Sequence, residues 1–231
     1  MVGGAAREGS RNVKKQEVRA RLEEIGIIPA VRVSSAEDAR FAAETVNRGG
    51  IPVAEITVTV PEAMEVIADL TQRTTELIVG AGTILDIETA KRALDAGATF
   101  LTSPGLVVEV VEFAVRKDVV VFPGALTATE VIAAWKAGAD FVKIFPCAQV
   151  GGDRYIRALK APFPHVPLIA SGGVNQQTAF NFILAGAAAL GIGAELIPRE
   201  AVQLRQADRI LELAHRFTRM VKDARRRKVE H

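Results

Sequence analysis

Lys143 lies in the middle of the apolar run Asp140 to Val150, which reads DFVKIFPCAQV. Neighbouring strands and helices cover both faces of such a run, so its lysine is expected to be removed from bulk water. Burial disfavours the charged ammonium and favours the free amine, the form that attacks a ketone. Alternation along a strand places this amine on the same face as Phe141 and Phe145. The run predicts a nucleophilic lysine, and the alternative is a lysine that extends from a strand end to solvent.

Glu55 is the second unusual charge, because it lies within another β-prone run, VAEITVTV, at residues 53–60. Alternation places it on one face with Val53, Thr57 and Thr59, and the hydroxyl groups indicate that this face looks into a polar site. A buried carboxylate beside a buried lysine either forms a structural ion pair with it or transfers protons for it. Both roles can hold at different steps of one reaction.

Glycine-rich turns supply the groups expected to hold a small substrate. Two of them, SGGVN at residues 171–175 and GIGAEL at residues 191–196, carry backbone N–H groups that can bind an anion such as phosphate. The turn GAGT at residues 80–83 lets a small substrate approach the backbone, or is simply a tight turn. A further turn, TSPG at residues 102–105, places Pro104 where it can line a pocket beside the amine.

The elements that position these groups repeat along the chain after a first helix, Val13 to Ile25. Each short apolar run is followed by a turn and an amphipathic helix, and eight such units predict a closed (β/α)8 TIM barrel with an additional N-terminal helix. An open doubly wound sheet is the alternative, but no G-x-G-x-x-G motif follows the first strand. In a barrel the carboxyl ends of the strands meet at one mouth, where the lysine, the carboxylate and the turns are expected to lie. The eight runs are Ile27 to Val33, Val53 to Val58, Leu77 to Ala81, Thr99 to Leu101, Val119 to Phe122, Phe141 to Phe145, Val166 to Ile169 and Ala188 to Ile192.

The composition is that of a globular chain of 231 residues, with 49% hydrophobic residues, 24% charged residues and a net charge of +2. This near balance gives no indication of nucleic acid or a membrane surface as a partner. No apolar run reaches membrane-spanning length and no signal peptide is evident, so a cytoplasmic location is expected. The one cysteine, Cys147, is interpreted as a small residue at the mouth, and the three histidines lack metal-ligand spacing.

The chain is divided into one domain and two tails. Residues 1–12 are predicted to form a flexible tail, residues 13–224 the barrel, and residues 225–231 a basic C-terminal tail. The last helix is expected to run from Glu200 to Ala224. The basic tail is interpreted as a solvated terminus, and binding of an acidic partner is the alternative.

Seven short motifs carry a resemblance to a known family. Their order and joint presence resemble the class I 2-keto-3-deoxy-6-phosphogluconate (KDPG) and 4-hydroxy-2-oxoglutarate (KHG) aldolases over nearly all of residues 24–217. The resemblance implies a homotrimer of (β/α)8 barrels that cleaves the phosphorylated keto acid to pyruvate and glyceraldehyde 3-phosphate without a metal or other cofactor. The motifs are IPAVR (28–32), EITVT (55–59), GAGT (80–83), SPG (103–105), FPG (122–124), VKIFP (142–146) and SGGV (171–174).

The resemblance also implies roles for individual positions. Lys143 falls on the lysine that forms a Schiff base with the substrate, and Glu55 falls on the carboxylate that transfers protons. Thr83 and Pro104 fall on positions that contact pyruvate, whereas the glycine-rich turns after the seventh and eighth strands fall on the phosphate loops. The residues expected to bind substrate are Arg32, Thr59, Thr83, Pro104, Phe145, Ser171, Gly172, Gly173, Gly193 and Ala194.

Two positions depart from the pattern of many family members. Where this chain has Thr59, many members carry an arginine that helps to hold the substrate carboxylate, so Arg32 or backbone donors must replace it or the substrate differs. Where this chain has Ala194, many members carry a serine hydroxyl at the phosphate site. Losing one hydrogen bond to a charged group costs about 1.5–3 kcal/mol, which weakens phosphate preference without abolishing binding.

Two other functions are compatible with the same residues. One is the same chemistry on 2-keto-3-deoxy-6-phosphogalactonate or on KHG, which differ from KDPG in the part of the substrate that leaves as the aldehyde. The other belongs to a different class, a barrel that only binds or isomerises a sugar phosphate. In that case Lys143 and Glu55 form a static ion pair.

Overall fold

The computed structural model describes residues 14–74 and 76–229, in which helices alternate with parallel strands. The predicted flexible tail, residues 1–12, lies outside the described residues. The strands of this part of the chain are β1 (Ile27–Val31), β2 (Val53–Thr57), β3 (Ile78–Gly82), β4 (Phe100–Thr102), β5 (Val120–Phe122), β6 (Gly124–Ala125), β7 (Val142–Ile144), β8 (Leu168–Ser171) and β9 (Ala189–Ile192). The α-helices are α1 (Lys15–Ile25), α2 (Ala36–Arg48), α3 (Ala63–Arg73), α4 (Ile87–Asp95), α5 (Val108–Arg116), α6 (Ala128–Lys136), α7 (Asp153–Lys160), α8 (Ala179–Leu184), α9 (Arg199–Gln203) and α10 (Ala207–Val229).

The strands pair in parallel in the order β5-β4-β3-β2-β1-β9-β8-β7-β6. Strands β5 and β6 are two parts of one strand, divided at Pro123, whose nitrogen carries no hydrogen for the ladder. The first part pairs with β4 and the second part pairs with β7, so the interrupted strand closes the ring. The predicted (β/α)8 barrel is therefore confirmed, and the divided fifth unit accounts for the ninth strand.

The additional N-terminal helix α1 covers the amino-terminal end of the barrel. Lys15 Nζ lies 2.9 Å from the carboxylate of Asp140, just before β7. The guanidinium of Arg19 lies 5.5 Å from the ring centroid of Phe141. Both contacts are made at the amino end of β7, so α1 closes the end of the barrel that lies away from the mouth.

Aromatic rings fill the barrel interior between α1 and the mouth. The ring centroids of Phe100 and Phe122 are 5.2 Å apart and stacked, and those of Phe122 and Phe141 are 6.1 Å apart and edge to face. A Cβ at Gly80 would overlap the Phe100 ring, so the interior leaves no space there. Since Lys143 lies one step further along the same face of β7, this packed layer keeps water away from beneath its amine.

Polar caps fix where three crossover helices begin. Ser35, Asp86 and Thr127 each accept a hydrogen bond from the backbone N–H three residues further on, at the starts of α2, α4 and α6. The Glu130 carboxylate in turn accepts the N–H of Thr127, so both halves of a capping box form. Backbone N–H groups of Leu126 and Thr127 lower the pKa of Glu130, because they stabilise its charged form. Such caps set the lengths of the loops at the mouth.

The C-terminal helix predicted from Glu200 to Ala224 is divided into α9 and α10, so this prediction is wrong. Arg205 adopts a left-handed backbone conformation with φ 52°, which interrupts the helix. Its guanidinium lies 2.8 Å from a carboxylate oxygen of Glu37 and 2.6 Å from one of Asp38, both on α2. A tertiary ion pair thus accompanies the break.

Helix α10 continues to Val229, through the described part of the segment expected to form a solvated basic tail. Arg225 donates hydrogen bonds to the backbone carbonyls of Glu24 and Ala188, so its side chain ties α10 to the end of α1 and to the start of β9. The division of the chain into 13–224 and 225–231 stays a prediction. Among the described residues, no helix is both long and apolar enough to cross a membrane.

Candidate active site

Lys143 and Glu55 meet at the mouth of the barrel. Lys143 is the central residue of β7 and Glu55 is the central residue of β2, and Lys143 Nζ lies 3.6 Å from Glu55 Oε1. Their side chains are 11% and 3% exposed, respectively. Both line a cavity of about 460 Å³, which we call the mouth cavity. The structure therefore brings the two predicted catalytic residues together in a partly enclosed space.

One of the two predicted aromatic neighbours lies beside the amine. The Phe145 ring centroid is 5.7 Å from Lys143 Nζ, and this ring lines the mouth cavity. The peptide bond between Phe145 and Pro146 is cis. The other ring, that of Phe141, packs at the opposite end of β7. An aromatic face at this distance excludes water and attracts a cation, which suits a positively charged nitrogen at this position.

The position of Glu55 depends on a missing side chain on the neighbouring strand. Strands β2 and β3 pair with Thr57 opposite Gly82. A Cβ added to Gly82 would overlap Oε1 of Glu55. Glycine at this position is therefore what allows the Glu55 carboxylate to turn toward Lys143.

Replacing Gly82 by alanine is expected to displace the Glu55 carboxylate while leaving the barrel folded. A displacement of about 1 Å at a reacting group can lower a rate by roughly 100-fold, so we expect a loss in kcat of that order. Steady-state kinetics and circular dichroism on Gly82→Ala would measure both effects. The matched control is Gly105→Ala, since a Cβ there meets nothing within 4 Å. Equal activity of the two variants would contradict this account of Gly82.

Thr83 holds a strained backbone conformation at the mouth cavity. Its φ is 65°, a left-handed value that a β-branched residue rarely adopts. Its side chain and that of Pro104 both line the cavity, as the sequence predicts. A strained backbone conformation costs free energy and persists only where the surrounding structure holds it in place. Such positions are concentrated at functional sites.

Two loops at the mouth carry backbone N–H groups that donate no hydrogen bond to the part of the chain that the structure describes. Gly172 and Gly173, which follow β8, both have φ +83°, a conformation that glycine adopts without strain. Among the described residues, no backbone acceptor is found for their N–H groups or for that of Ala194 in the loop after β9. All three residues line the mouth cavity, together with Ser171 at the end of β8. The loops thus form the donor-rich wall that the sequence predicts for an anion.

The mouth cavity collects most of the residues predicted to bind substrate. Thr59 is the exception: its hydroxyl lies 2.9 Å from that of Thr57, and its side chain is absent from the cavity lining. The chain turns after Thr57, where the Val60 N–H donates to the Thr57 carbonyl, and Thr57 does not line the cavity either. The residues that do line the cavity are Arg32, Thr83, Pro104, Phe145, Ser171, Gly172, Gly173, Gly193 and Ala194, with Lys143 and Glu55.

Two residues of the mouth cavity lie outside the motifs named from the sequence. Ile197 lies in the loop after β9, and Arg199 is the first residue of α9. Ile197 is apolar and gives no chemical signal. Arg199 directly precedes the predicted start of the last helix, where an arginine is ordinary and its sequence position gives no indication of a site.

Cys147 is not suited to act as a nucleophile. Burial raises the pKa of its thiol to about 12, and the negative charge of Asp153 contributes in the same direction. The thiol therefore stays protonated at neutral pH, and its sulfur lies 3.6 Å from the Gly152 carbonyl oxygen. Cys147 does not line the mouth cavity, which makes it a packing residue just behind the mouth.

A lysine amine and a carboxylate lie in one cavity at the carboxyl ends of the strands. This arrangement is typical of (β/α)8-barrel enzymes whose lysine amine reacts with a carbonyl group of the substrate. The sequence profile of the family described as KDPG and KHG aldolase matches residues 18–213 of this chain. The chain belongs to the KDPG and KHG aldolase family. This membership confirms the resemblance and the expected enzyme class, a lyase of the aldolase type.

Individual relatives agree with the family match. The chain is 30% identical over 200 residues to the 2-dehydro-3-deoxy-phosphogluconate aldolase of Treponema pallidum (strain Nichols), a match that covers 87% of this chain and 95% of the relative. The KDPG aldolase of Legionella pneumophila, with pyruvate captured as a covalent carbinolamine, is 28% identical with a TM-score of 0.79, over 86% of this chain and 96% of that chain. A cage designed by fusing symmetric oligomeric domains contains a chain that is 28% identical with a TM-score of 0.82, over 90% of this chain and 76% of that chain.

Proposed function

We propose that this protein is a Schiff-base aldolase that cleaves KDPG to pyruvate and glyceraldehyde 3-phosphate in a reversible reaction. The observation that carries the proposal is the 3.6 Å separation of Lys143 Nζ and Glu55 Oε1. The pair lies in a cavity that also contains the two loops with free N–H donors. A nucleophile, a proton acceptor and an anion site within one cavity are what the cleavage of a phosphorylated keto acid requires.

The first steps join the substrate to the lysine. The free amine of Lys143 attacks the C2 ketone, the C2–N bond forms, and the carbonyl oxygen takes up a proton to give a carbinolamine. Loss of that oxygen as water leaves an iminium, whose positive nitrogen attracts the electrons of the bond to be broken. Phe145 flanks this nitrogen position, and the closed layer of aromatic rings keeps water from reaching it from below.

The next steps break the carbon chain. Glu55, directly or through one water, takes the proton of the C4 hydroxyl, the C3–C4 bond breaks, and its electrons move to the iminium to form an enamine. The aldehyde leaves, and Glu55 returns a proton to C3. Water then adds to the regenerated iminium and releases pyruvate together with the free Lys143 amine. Glu55 lies within reach of the amine that anchors each intermediate.

The assignment of the two substrate ends follows from the family pattern and from the charges and donors around the cavity. Thr83 and Pro104 would contact the pyruvate part, as their places in the family pattern imply. The loops that contain Gly172, Gly173 and Ala194 would hold the distal phosphate, because the N–H groups of these three residues have no acceptor within residues 14–74 and 76–229. Arg32, which also lines the cavity, provides a full positive charge at the mouth.

The assembly proposed for this protein is a cytoplasmic homotrimer. The proposal comes from the family resemblance, and the similarity to a chain of a cage built from symmetric oligomeric domains supports a symmetric oligomer. Sedimentation or light scattering of the purified protein would determine the number of subunits.

A second candidate function is the same chemistry on another substrate. The absence of a serine hydroxyl at Ala194, and of an arginine in place of Thr59, favours considering 2-keto-3-deoxy-6-phosphogalactonate and KHG beside KDPG. All three substrates place a ketone at the amine and an anionic group at the other end. Comparing kcat/KM for the three compounds would identify the preferred configuration at C4 and the preferred aldehyde part.

Incubation with pyruvate and sodium borohydride tests the proposed chemistry directly. We expect the intact mass to increase by one reduced pyruvate per chain, and peptide mapping to place the adduct on Lys143. The adduct should be absent when borohydride is added without pyruvate. Folded protein that forms no adduct would instead support the barrel that only binds or isomerises a sugar phosphate.

A further inference from the structure

Two arginines connect the mouth cavity with a second, smaller cavity. Arg32 follows β1 and Arg199 begins α9, and both line the mouth cavity of about 460 Å³. Both also line an adjacent cavity of about 230 Å³, which we call the side cavity. Both arginines therefore lie at the border between the two cavities, where either guanidinium can turn toward a ligand in the mouth.

These two positive charges are not neutralised by the protein. Among the described residues, neither arginine forms an ion pair with a carboxylate within 4 Å. Of the described residues that line the side cavity, Asp38 alone is acidic, and its carboxylate already lies 2.6 Å from Arg205. The hydrogen bond from Arg205 lowers the pKa of Asp38, so its charge is held by that partner. The arginines at the border thus remain available to an anionic ligand.

The path of the chain places Arg199 beside the loop that lacks the serine hydroxyl. The N–H groups of Leu196 and Ile197 both donate to the carbonyl of Gly193, which closes a tight turn after β9. This turn brings Arg199, at the start of α9, to the same cavity wall as Ala194. The wall contains one exposed carboxylate, that of Glu195, against the two arginines.

We propose that Arg199, assisted by Arg32, binds the phosphate group at the aldehyde end of the substrate and so determines the specificity for a phosphorylated substrate. This inference rests on the proposed function and assigns a residue for that substrate end. A guanidinium offers two parallel N–H donors that match a phosphate, and such bonds are stronger than one from a serine hydroxyl. Arg199 thereby replaces the donor that is lost at Ala194.

Binding of glycerol 3-phosphate, measured by titration calorimetry, tests this inference without any turnover. This compound carries the phosphate and lacks the aldehyde, so it cannot react with the amine or with pyruvate. We expect Arg199→Ala to weaken its binding by roughly tenfold or more, and Arg199→Lys to weaken it less. The matched control is Arg209→Ala, which removes an exposed charge from α10 outside both cavities.

Steady-state kinetics distinguish a contact between Arg199 and the phosphate from a general effect of the substitution on the active site. Arg199→Ala should lower kcat/KM for KDPG by a similar factor. It should not change kcat/KM for 2-keto-3-deoxygluconate, which lacks the phosphate, and it should not change pyruvate trapping on Lys143. Equal losses for the two substrates, or unchanged glycerol 3-phosphate affinity, would each overturn the assignment. Failure of the wild-type protein to trap pyruvate would reject the proposed function instead, and the calorimetric result would still decide whether Arg199 binds phosphate.

Discussion

Replacing Lys143 by alanine is expected to abolish aldol cleavage, with a loss in kcat on the order of 10⁴-fold or more. The amine nitrogen forms the covalent bond to the substrate, and among the described residues no other lysine lines the mouth cavity. The cleavage rate is measured by coupling pyruvate release to lactate dehydrogenase, with borohydride trapping as the second readout. Appreciable residual turnover together with an adduct on another lysine would contradict the assignment.

The variant Lys143→Arg distinguishes the nucleophilic role of the lysine amine from the role of its positive charge beside Glu55. Arginine keeps a cation beside Glu55 but is not a nucleophile, because its guanidinium stays protonated. If the 3.6 Å pair between Lys143 and Glu55 is catalytic, this variant should be as inactive as Lys143→Ala. In a barrel that uses the pair only as a static contact, Lys143→Arg would instead keep most of the function.

Stability must be measured alongside activity, because the alanine variant leaves a buried carboxylate without its cation. Removing one partner of a fully enclosed ion pair costs roughly 3–5 kcal/mol. The cost should be smaller here, because the pair opens onto the mouth cavity and water can reach Glu55. Lys143→Arg retains the charge, so an inactive but stable arginine variant excludes unfolding as the reason for the lost activity.

The fold follows from the sequence where local patterns decide it. Apolar strand runs and side chains such as Ser35, Asp86 and Thr127 mark the repeating units, since a cap needs only residues three positions apart. The break between α9 and α10 is different. Arg205 turns out of the helix and pairs with Glu37 and Asp38, which lie about one hundred and seventy residues earlier in the chain. No local pattern contains that contact.

Lys143 and Glu55 could be predicted from the sequence because each is a charged residue within an apolar, β-prone segment. A lysine or a glutamate among β-branched residues stands out before any neighbour is known. Thr59 does not line the mouth cavity, because it follows the end of β2 and its hydroxyl bonds to that of Thr57. Arg199 is missed for a different reason. An arginine at the start of a helix is ordinary in sequence, and only the turn that begins at Gly193 brings it to the mouth.

Glu55→Gln is expected to lower kcat by about 10²- to 10⁴-fold while leaving the covalent step possible. Glutamine has nearly the same shape, so it should fit against Gly82 as the glutamate does. It cannot accept a proton, so neither deprotonation of the C4 hydroxyl nor proton transfer at C3 is assisted. The matched control is Glu62→Gln, an exposed carboxylate in the loop after β2 that lies outside the mouth cavity.

Proton exchange at pyruvate distinguishes a proton-transferring Glu55 from one that only holds the lysine in place. In deuterated water, wild-type protein should exchange the methyl hydrogens of pyruvate, because the iminium loses a C3 proton to form the enamine. Glu55→Gln should still form the borohydride adduct on Lys143, whose Nζ lies 3.6 Å from the carboxylate in the wild type, but exchange should be slowed as much as cleavage. Exchange at the wild-type rate would assign the proton transfer to another group. Loss of the adduct together with exchange would mean that Glu55 acts mainly by positioning or deprotonating the amine.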